Sequence, residues 1–564
     1  MQSYTQITVA DYCIRFFESK GITQIPGIPG GTILPMYHAL AKSKIRHILA
    51  RHEQGAGFIA QGMARTSRKP RPFFISSGPG VANAITAVAD AQRDSVPLIA
   101  ISGQVPRELL GTDAFQELDT LSIVKNITKK AYLVLNANSV PEILEEAYRI
   151  SMEGKQGPVW IDFPKDIQNS YVDLPLSKQI EAGIKINGNG ADVLSSQTFP
   201  LEERILTESL RLIEESKKPL LYVGGGAKPE RIYPLIRKFA EEFQVPSVST
   251  LMGLGIFQES DELYLGMMGM HGSTSANDAL GECDLLIALG VRFDDRATGN
   301  IKTFCPNAKV IHIEIDPREI GKNKKADLFW NGDLEIYLSS LLNETKRISK
   351  ERWISRSTPN EEHQRPIPGL MRSIAKYANN KSYVLTDVGQ HQMWVAQHYP
   401  FPHPGTWITS GGQGTMGFGL PASIGVALEH PEATILCFTG DGSIMMNLQE
   451  LATLREQNLN VKIILMNNGH LGLVRQQQEM FYQNQRSGSV FEYQPDFRKL
   501  SESFGLSYER RNIAGEFSFL EEWMRTPGPS LLEIEIPSQE GVFPFVPAGK
   551  SNQEYLLTSS TGIH

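Results

Sequence analysis

ATILCFTGDGSIMMNLQELATLREQNLNVKIILMNN, running from Ala433 to Asn468, is the stretch from which the fold is read. Its first apolar run, Thr434 to Thr439, is rich in β-branched residues and reads as a buried strand. Gly440-Asp441-Gly442-Ser443 breaks that run. Good helix formers follow, with Met446, Leu448, Leu451 and Leu454 at helical spacing, and a second apolar run, Val461 to Met466, stops at Asn467-Asn468. A strand–helix–strand unit with short connections has parallel strands. Asp441 and Asn468 then meet at the carboxyl ends of strands, the edge where open α/β sheets bind ligands. A carboxylate and an amide oxygen there suit Mg²⁺, which takes a few hard oxygens and leaves other positions for phosphate. The glycines let backbone approach closely, and a helix starting at Ser443 would offer free N–H groups to an anion. A strand-to-helix turn with a capping Asp and no ligand is the plainer reading of the same letters.

The bulk composition narrows the class. A chain of 564 residues is long for one core, and three domains of ordinary size are expected. With 41% apolar and 21% charged residues and a net charge of −7, neither a nucleic-acid surface nor an anionic membrane is an expected partner. Cys13, Cys283, Cys305 and Cys437 are far apart and form neither a disulfide framework nor a zinc motif, as expected in a reducing compartment. No apolar span is long enough to cross a membrane, and MQSYTQITVADYC lacks the pattern of a signal peptide. A cytoplasmic location is expected, with a removed targeting segment left open.

Gly-Asp-Gly-Ser followed by Asn-Asn at this spacing resembles the Mg²⁺–diphosphate motif of thiamin-diphosphate enzymes. The resemblance implies Asp441 and Asn468 as metal ligands, completed by the backbone carbonyl of His470, with Gly442 and Ser443 beside the cofactor. Arg51-His-Glu-Gln-Gly-Ala-Gly57 opens a helix with a small-residue face, and Glu53 alone would read as a first-turn acid favoured by the helix dipole. RHEQGAGFIAQGMAR, however, resembles the segment of acetohydroxyacid synthases (acetolactate synthases) that carries the catalytic glutamate. That glutamate bonds the ring nitrogen of the cofactor's aminopyrimidine and promotes proton removal from the thiazolium carbon.

Further stretches extend the likeness over nearly the whole chain. Ser76-Ser-Gly-Pro-Gly80 and Asn83 resemble the loop touching the pyrimidine ring, which implicates Pro79 and Asn83. Gly111-Thr-Asp-Ala-Phe-Gln-Glu117 resembles the substrate loop, placing Phe115 and Gln116 near the reacting centre, and Lys165 is expected at the channel entrance. In Lys218-Pro-Leu-Leu-Tyr-Val-Gly-Gly-Gly-Ala227 a strand runs into Gly224, Gly225 and Gly226, and such a turn suits a dinucleotide pyrophosphate. Thr250-Leu-Met-Gly253 and Gly290-Val-Arg-Phe-Asp-Asp-Arg296 resemble flavin-binding turns. The likeness assigns Arg292, Glu314 and Asp333 to FAD, and gives Arg296 the second substrate's carboxylate, for which a forked guanidinium is apt. Val388-Gly-Gln-His391 resembles the diphosphate grip of Gly389, Gln390 and His391. Met416, in Gly411-Gly-Gln-Gly-Thr-Met-Gly417, would be the apolar wedge that keeps the cofactor bent. Without the resemblance, Met416 reads equally well as a core filler.

At one position the pattern departs. Gln477 stands where most relatives carry a Trp that lines the second-substrate pocket and favours 2-oxobutanoate, as it does in the isozyme-I-like bacterial branch. Weak discrimination between acceptors is the expectation. The family implies three α/β domains with mainly parallel sheets: pyrimidine-binding (1–175), central FAD-binding (200–345) and diphosphate/Mg-binding (366–550). Linkers are read near 176–202 and 347–368, and a non-helical covering tail from Glu540. The implied cofactors are thiamin diphosphate, Mg²⁺ and FAD, the last without a net redox task. The implied reaction joins pyruvate, after decarboxylation, to pyruvate or 2-oxobutanoate, giving 2-acetolactate or 2-aceto-2-hydroxybutanoate. A homo-oligomer (dimer or tetramer) with the site between subunits, and a small regulatory subunit, are the implied partners. Alternatives are another FAD-containing carboligase, a pyruvate oxidase, or a non-catalytic cofactor-binding paralogue.

Overall fold

Three parallel sheets of six strands each organise the chain, as the computed structural model, which describes residues 5–174, 200–344, 351–355, 365–379 and 381–558, lays them out. Most of the first linker and parts of the second lie outside the described residues. β1 (Thr5–Thr8) precedes the first sheet, built from β2 (Gln24–Gly27), β3 (Arg46–Leu49), β4 (Arg71–Ile75), β5 (Leu98–Gln104), β6 (Lys130–Leu133) and β7 (Val159–Pro164). Its order is β3-β2-β4-β5-β7-β6, and β8 (Tyr171–Leu174) returns to pair antiparallel with β1.

The second sheet contains β9 (Pro219–Val223), β10 (Ser247–Ser249), β11 (Tyr264–Met267), β12 (Leu285–Leu289), β13 (Lys309–Glu314) and β14 (Leu328–Asn331), ordered β11-β10-β9-β12-β13-β14. The third contains β15 (Tyr383–Thr386), β16 (Trp407–Ile408), β17 (Ile435–Gly440), β18 (Val461–Asn467), β19 (Ser507–Asn512) and β20 (Ser530–Glu535), ordered β16-β15-β17-β18-β20-β19. Strands such as β4, β5, β7, β9, β12 and β17 are buried at every residue and are mainly apolar on both faces, because helices cover both sides of each sheet.

Residues 5–8 are drawn into β1, and the helix Val9–Ser19 that follows is capped by Thr8, whose Oγ1 accepts from Asp11 N at 3.1 Å. One local reading needs correction. The continuous helix expected after Ser443 does not form. A 3₁₀ turn, Ile444–Met446, is followed by Asn447 outside helical backbone, and the helix proper is Glu450–Glu456. The cause is tertiary. Asn447 Nδ2 donates to Gly417 O at 2.7 Å, while Glu450 Oε1 accepts from Arg51 N (2.9 Å) and His52 N (3.1 Å) of the first domain. Met446, expected on an apolar stripe, is 52% exposed in consequence.

The small-residue helix Glu53–Ser67 packs directly on helix Gly419–Glu429 of the third sheet's domain. A Cβ on Gly425 would fall 1.9 Å from Ile59 O, and one on Gly62 would fall 2.1 Å from Ala422 O. No side chain fits there without moving a backbone. Gly425→Ala should therefore lower stability by about 1–3 kcal/mol, the usual cost of overpacking, and thermal melting of the purified variant reads it. A melting temperature equal to that of the parent would contradict this packing.

Candidate active site

Each sheet reverses its direction of growth at an inner pair of strands: between β2 and β4, between β9 and β12, and between β15 and β17. Ligands of open parallel sheets bind at the carboxyl edge of such a reversal. At all three, the following loop carries residues singled out from the sequence.

At the third reversal, β15 leads into Asp387-Val-Gly-Gln390 and β17 into Asp441, while neighbouring β18 ends at Asn467 and delivers Asn468. Asp441 is 4% exposed, and burial pushes its carboxyl up to about 6. Its Oδ2 accepts from Gly469 N at 2.9 Å and from Gln494 Nε2, and among the described residues no lysine or arginine pairs with it. The Asn468 amide is oriented from both ends: Nδ2 donates to Gln390 Oε1 at 2.8 Å, and Oδ1 accepts from His470 N at 3.0 Å. No group of three or more His, Cys, Asp or Glu able to hold a metal occurs among the described residues. One buried carboxylate with amide and backbone oxygens is the donor set of a hard ion that keeps phosphate or water ligands, so these residues fit Mg²⁺.

His391 adds a buried ring nitrogen, Nε2, without a partner in the protein. Burial holds its imidazole down to about 3, so the ring is neutral. Gln390 is spent on the frame, donating to Gln476 Oε1 (3.2 Å) and Glu540 O (3.0 Å). Ser443 Oγ likewise donates to Val388 O at 2.9 Å and so ties the two loops, while Gly442 lies under Leu471 and Phe491. An orphaned ring nitrogen beside a carboxylate–amide pair fits a diphosphate–metal group.

The turn bearing Met416 stands over this crevice. Asp387, buried and pushed up to about 6 by burial, accepts from Gly417 N at 2.6 Å and from Thr439 Oγ1 at 3.0 Å. It thereby ties β15, β17 and the Met416 turn together. Sequence reading missed Asp387; an acid directly before Val388-Gly-Gln was the available signal. Gln494 was also missed, and in a stretch without periodicity no signal marks it. Its loop folds back as a strand-like cover, with Leu471 N donating to Ser489 O (2.8 Å) and Phe491 N to Gly469 O (3.0 Å). The tail from Glu540 is non-helical and is pinned by Gln476, whose Nε2 donates to Val542 O at 3.0 Å and whose Oε1 accepts from Val542 N at 2.9 Å. Neighbouring Gln477 is exposed.

At the first reversal, Glu53 begins its helix just after β3, and its Oε2 accepts from Asn83 Nδ2 at 2.9 Å. Pro79 is the first residue of helix Pro79–Asp94, capped by Gly78 with φ +57°. A Cβ on Gly78 would lie 2.9 Å from Gln116 O, so the 111–117 loop rests on this turn. Gln116 itself has φ +61°, a costly geometry for a non-glycine and one that clusters at functional sites. Phe115 is 87% exposed, and Lys165 heads a short helix after β7. Thus Glu53, Pro79, Asn83 and Gln116 are gathered in one place. Their hydrogen bonds and those of Asp441 share no residue.

At the second reversal, Gly224 and Gly226 are required by protein packing: their Cβ positions lie 2.5 Å from Gly290 O and 2.9 Å from Gly290 Cα. Gly225 faces Met252. Arg292 donates to Arg93 O at 2.7 Å, and Arg296 projects outward with Met270 Sδ at 3.4 Å. Glu314, pushed up to about 7 by burial, accepts from Ile315 N and Asp316 N; Asp333 caps a helix and is held low against burial by Arg231 at 2.8 Å. The Thr250 hydroxyl is buried without a partner, an opening that fits a polar cofactor along this edge. All four cysteines are free and buried, and no described helix is long and apolar enough to cross a membrane.

Comparison with known proteins agrees with this geometry. Residues 7–123, 206–341 and 387–534 match family models described as the N-terminal TPP binding, central and C-terminal TPP binding domains of thiamine pyrophosphate enzymes. The chain is 45% identical to the acetolactate synthase isozyme 1 large subunit of Escherichia coli (strain K12), over 98% of each chain. It is 39% identical to the isozyme 2 large subunit of the same organism, over 97% of this chain and 99% of that one. It is 40% identical to the chloroplastic acetolactate synthase of Arabidopsis thaliana, over 98% of this chain and 85% of that one.

Proposed function

The chain belongs to the acetolactate synthase family of thiamine pyrophosphate enzymes, and on that premise we propose how its own residues perform the condensation of pyruvate. The reaction is the thiamine-pyrophosphate-dependent step that serves branched-chain amino-acid biosynthesis. When bound, thiamin diphosphate supplies the electron sink for loss of CO₂ from pyruvate. Asp441, Asn468 and the carbonyl of His470 would hold Mg²⁺, and His391, Gln390, Gly389, Gly442 and Ser443 would receive the diphosphate. Glu53 would face the aminopyrimidine and exchange a proton with its ring nitrogen, with Asn83 fixing the direction of that carboxyl and Pro79 beside the ring. Met416 would stand against the cofactor as an apolar wedge.

The chemistry that the bound cofactor would supply joins the two-carbon unit of pyruvate to the ketone of a second 2-oxoacid. Arg296 receives that acid's carboxylate, Gln116 and Phe115 border it, and Lys165 stands at the entrance. Pyruvate gives 2-acetolactate and 2-oxobutanoate gives 2-aceto-2-hydroxybutanoate. Gly224 to Gly226, Arg292, Glu314 and Asp333 line the proposed FAD site; FAD has no net redox task in this condensation. The domain limits 1–175, 200–345 and 366–550 belong to the same reading, and each encloses one six-stranded sheet.

The observation that carries the proposal is the third reversal: a buried carboxylate without a cation, an oriented amide and an orphaned imidazole nitrogen at adjacent strand ends. The proposed assembly is a homo-oligomer whose sites lie between subunits. It is supported by exposed apolar side chains around both halves, Phe115 (87%), Tyr493 (85%) and Met446 (52%) among them. A small regulatory subunit is a further proposed partner.

The test is the product made by the purified chain from pyruvate with Mg²⁺, thiamin diphosphate and FAD. One acetolactate per CO₂ is expected. Acetaldehyde, or steadily reduced flavin, would overturn the assignment in favour of a decarboxylase or an oxidase. With both acceptors at equal concentration, comparable amounts of the two products are expected because Gln477 offers less apolar surface than Trp. Gln477→Trp should raise the preference for 2-oxobutanoate about tenfold, within the range one methylene commands in a pocket. An unchanged product ratio would remove Gln477 from the acceptor site.

A further inference from the structure

We propose that Asp90 and Asp94, backed by Arg65, are positioning residues for the cofactor: from the first domain they hold the loop Ser410 to Thr415 and so fix where Met416 stands. The inference rests on the reading of Met416 as the wedge.

The loop has no regular secondary structure and contains Gly411, Gly412 and Gly414, so its order must come from elsewhere. It comes from one helix end. Asp94 Oδ2 accepts from Gly411 N at 3.0 Å and its Oδ1 from Gly412 N at 2.7 Å. Asp90 Oδ2 accepts from Thr415 Oγ1 at 2.9 Å and from Ser410 Oγ. Ser410 Oγ in turn accepts from Thr415 N at 2.8 Å, closing the loop into a ring.

Both acids are buried, their side chains 0% and 1% exposed, and a single guanidinium supports them. Arg65 Nη2 lies 3.2 Å from Asp90 Oδ1 and 2.9 Å from Asp94 Oδ2, and Nη1 reaches Thr409 O at 3.3 Å. Gly412 is glycine because a Cβ there would sit 2.7 Å from Arg93 Cβ. Met416 is therefore held on both sides. Thr415 before it is tied to Asp90 of the first domain, and Gly417 after it to Asp387 and Asn447 of its own. Helix Pro79–Asp94 carries Pro79 and Asn83 at one end and grips the wedge loop with the other.

The test is calorimetric titration of thiamin diphosphate with Mg²⁺ into the full chain and into Asp94→Ala, Asp94→Asn, Thr415→Val and Met416→Ala. Asp94→Ala loses two bonds to a charged acceptor and should weaken cofactor binding about tenfold. Asp94→Asn, which keeps one acceptor, and Thr415→Val should fall between it and the parent. The KM for pyruvate at saturating cofactor should stay within twofold. A purely structural role would lower melting temperature and leave the affinity of the folded protein unchanged. Affinity within twofold of the parent in folded Asp94→Ala overturns the proposal; should that variant fail to fold, parental affinity in Thr415→Val overturns it instead. Met416→Ala separates the two layers. If it alone is impaired, the wedge stands and the role of Asp94 falls; if it binds and turns over normally, the wedge reading falls and takes the inference with it.

Discussion

Glu53→Gln is expected to abolish nearly all turnover while leaving cofactor binding within a few-fold of the parent. The side chain begins its helix with Oε2 accepting from Asn83 at 2.9 Å, and Gly80 close beside it. A glutamine fits the same space, so the substitution removes the ability to pass a proton and little else. Positioned proton transfer is worth on the order of 10²–10⁴-fold, and kcat should fall by that amount. The check is steady-state kcat beside a titration of thiamin diphosphate. Full turnover in Glu53→Gln would remove Glu53 from the chemistry.

Asp441→Ala is expected to do the reverse, destroying metal and cofactor binding before any question of rate arises. Asp441 is the one carboxylate in the proposed Mg²⁺ set, and its replacement leaves Gly469 N and the Gln494 amide, both donors, facing the ion's place. Removing a residue that merely orients a ligand commonly costs ~10–100-fold in metal affinity; loss of the only charged ligand should cost more. Excess Mg²⁺ should not restore activity, and circular dichroism should show an intact fold. Mg²⁺-dependent turnover near the parental level in this variant would place the metal elsewhere.

What the sequence made legible follows the range of the interactions. β17 and β18 were readable because their burial is a run of neighbouring residues, and the strand ends placed Asp441 and Asn468 on one edge without further information. The small face of Glu53–Ser67 announced close packing. Its partner helix was not foreseeable, since contact between Gly62 and Ala422 is made only by the folded chain. The misread helix after Ser443 has the same origin: local propensity favoured helix, but Glu450 answers to Arg51 and His52, some 399 and 398 residues away in sequence. Asp387, Gln494, Asp90 and Asp94 were missed for that reason too. Each acts on a loop from a distance in sequence, and an isolated acid or amide carries no periodic signature. At the flavin edge the glycines were read as ligand-facing, whereas Gly224 and Gly226 answer first to Gly290.

In the proposed assembly the Glu53 half of one copy of the chain and the Asp441 half of another make one catalytic centre. Co-expressing the two inactive variants, Glu53→Gln and Asp441→Ala, tests it directly. Mixed dimers then carry one fully intact site, so the population should regain about a quarter of parental turnover with pyruvate, as random pairing in a two-fold assembly dictates. Activity no greater than that of either variant alone would contradict the account, because it would mean that each chain completes its own site.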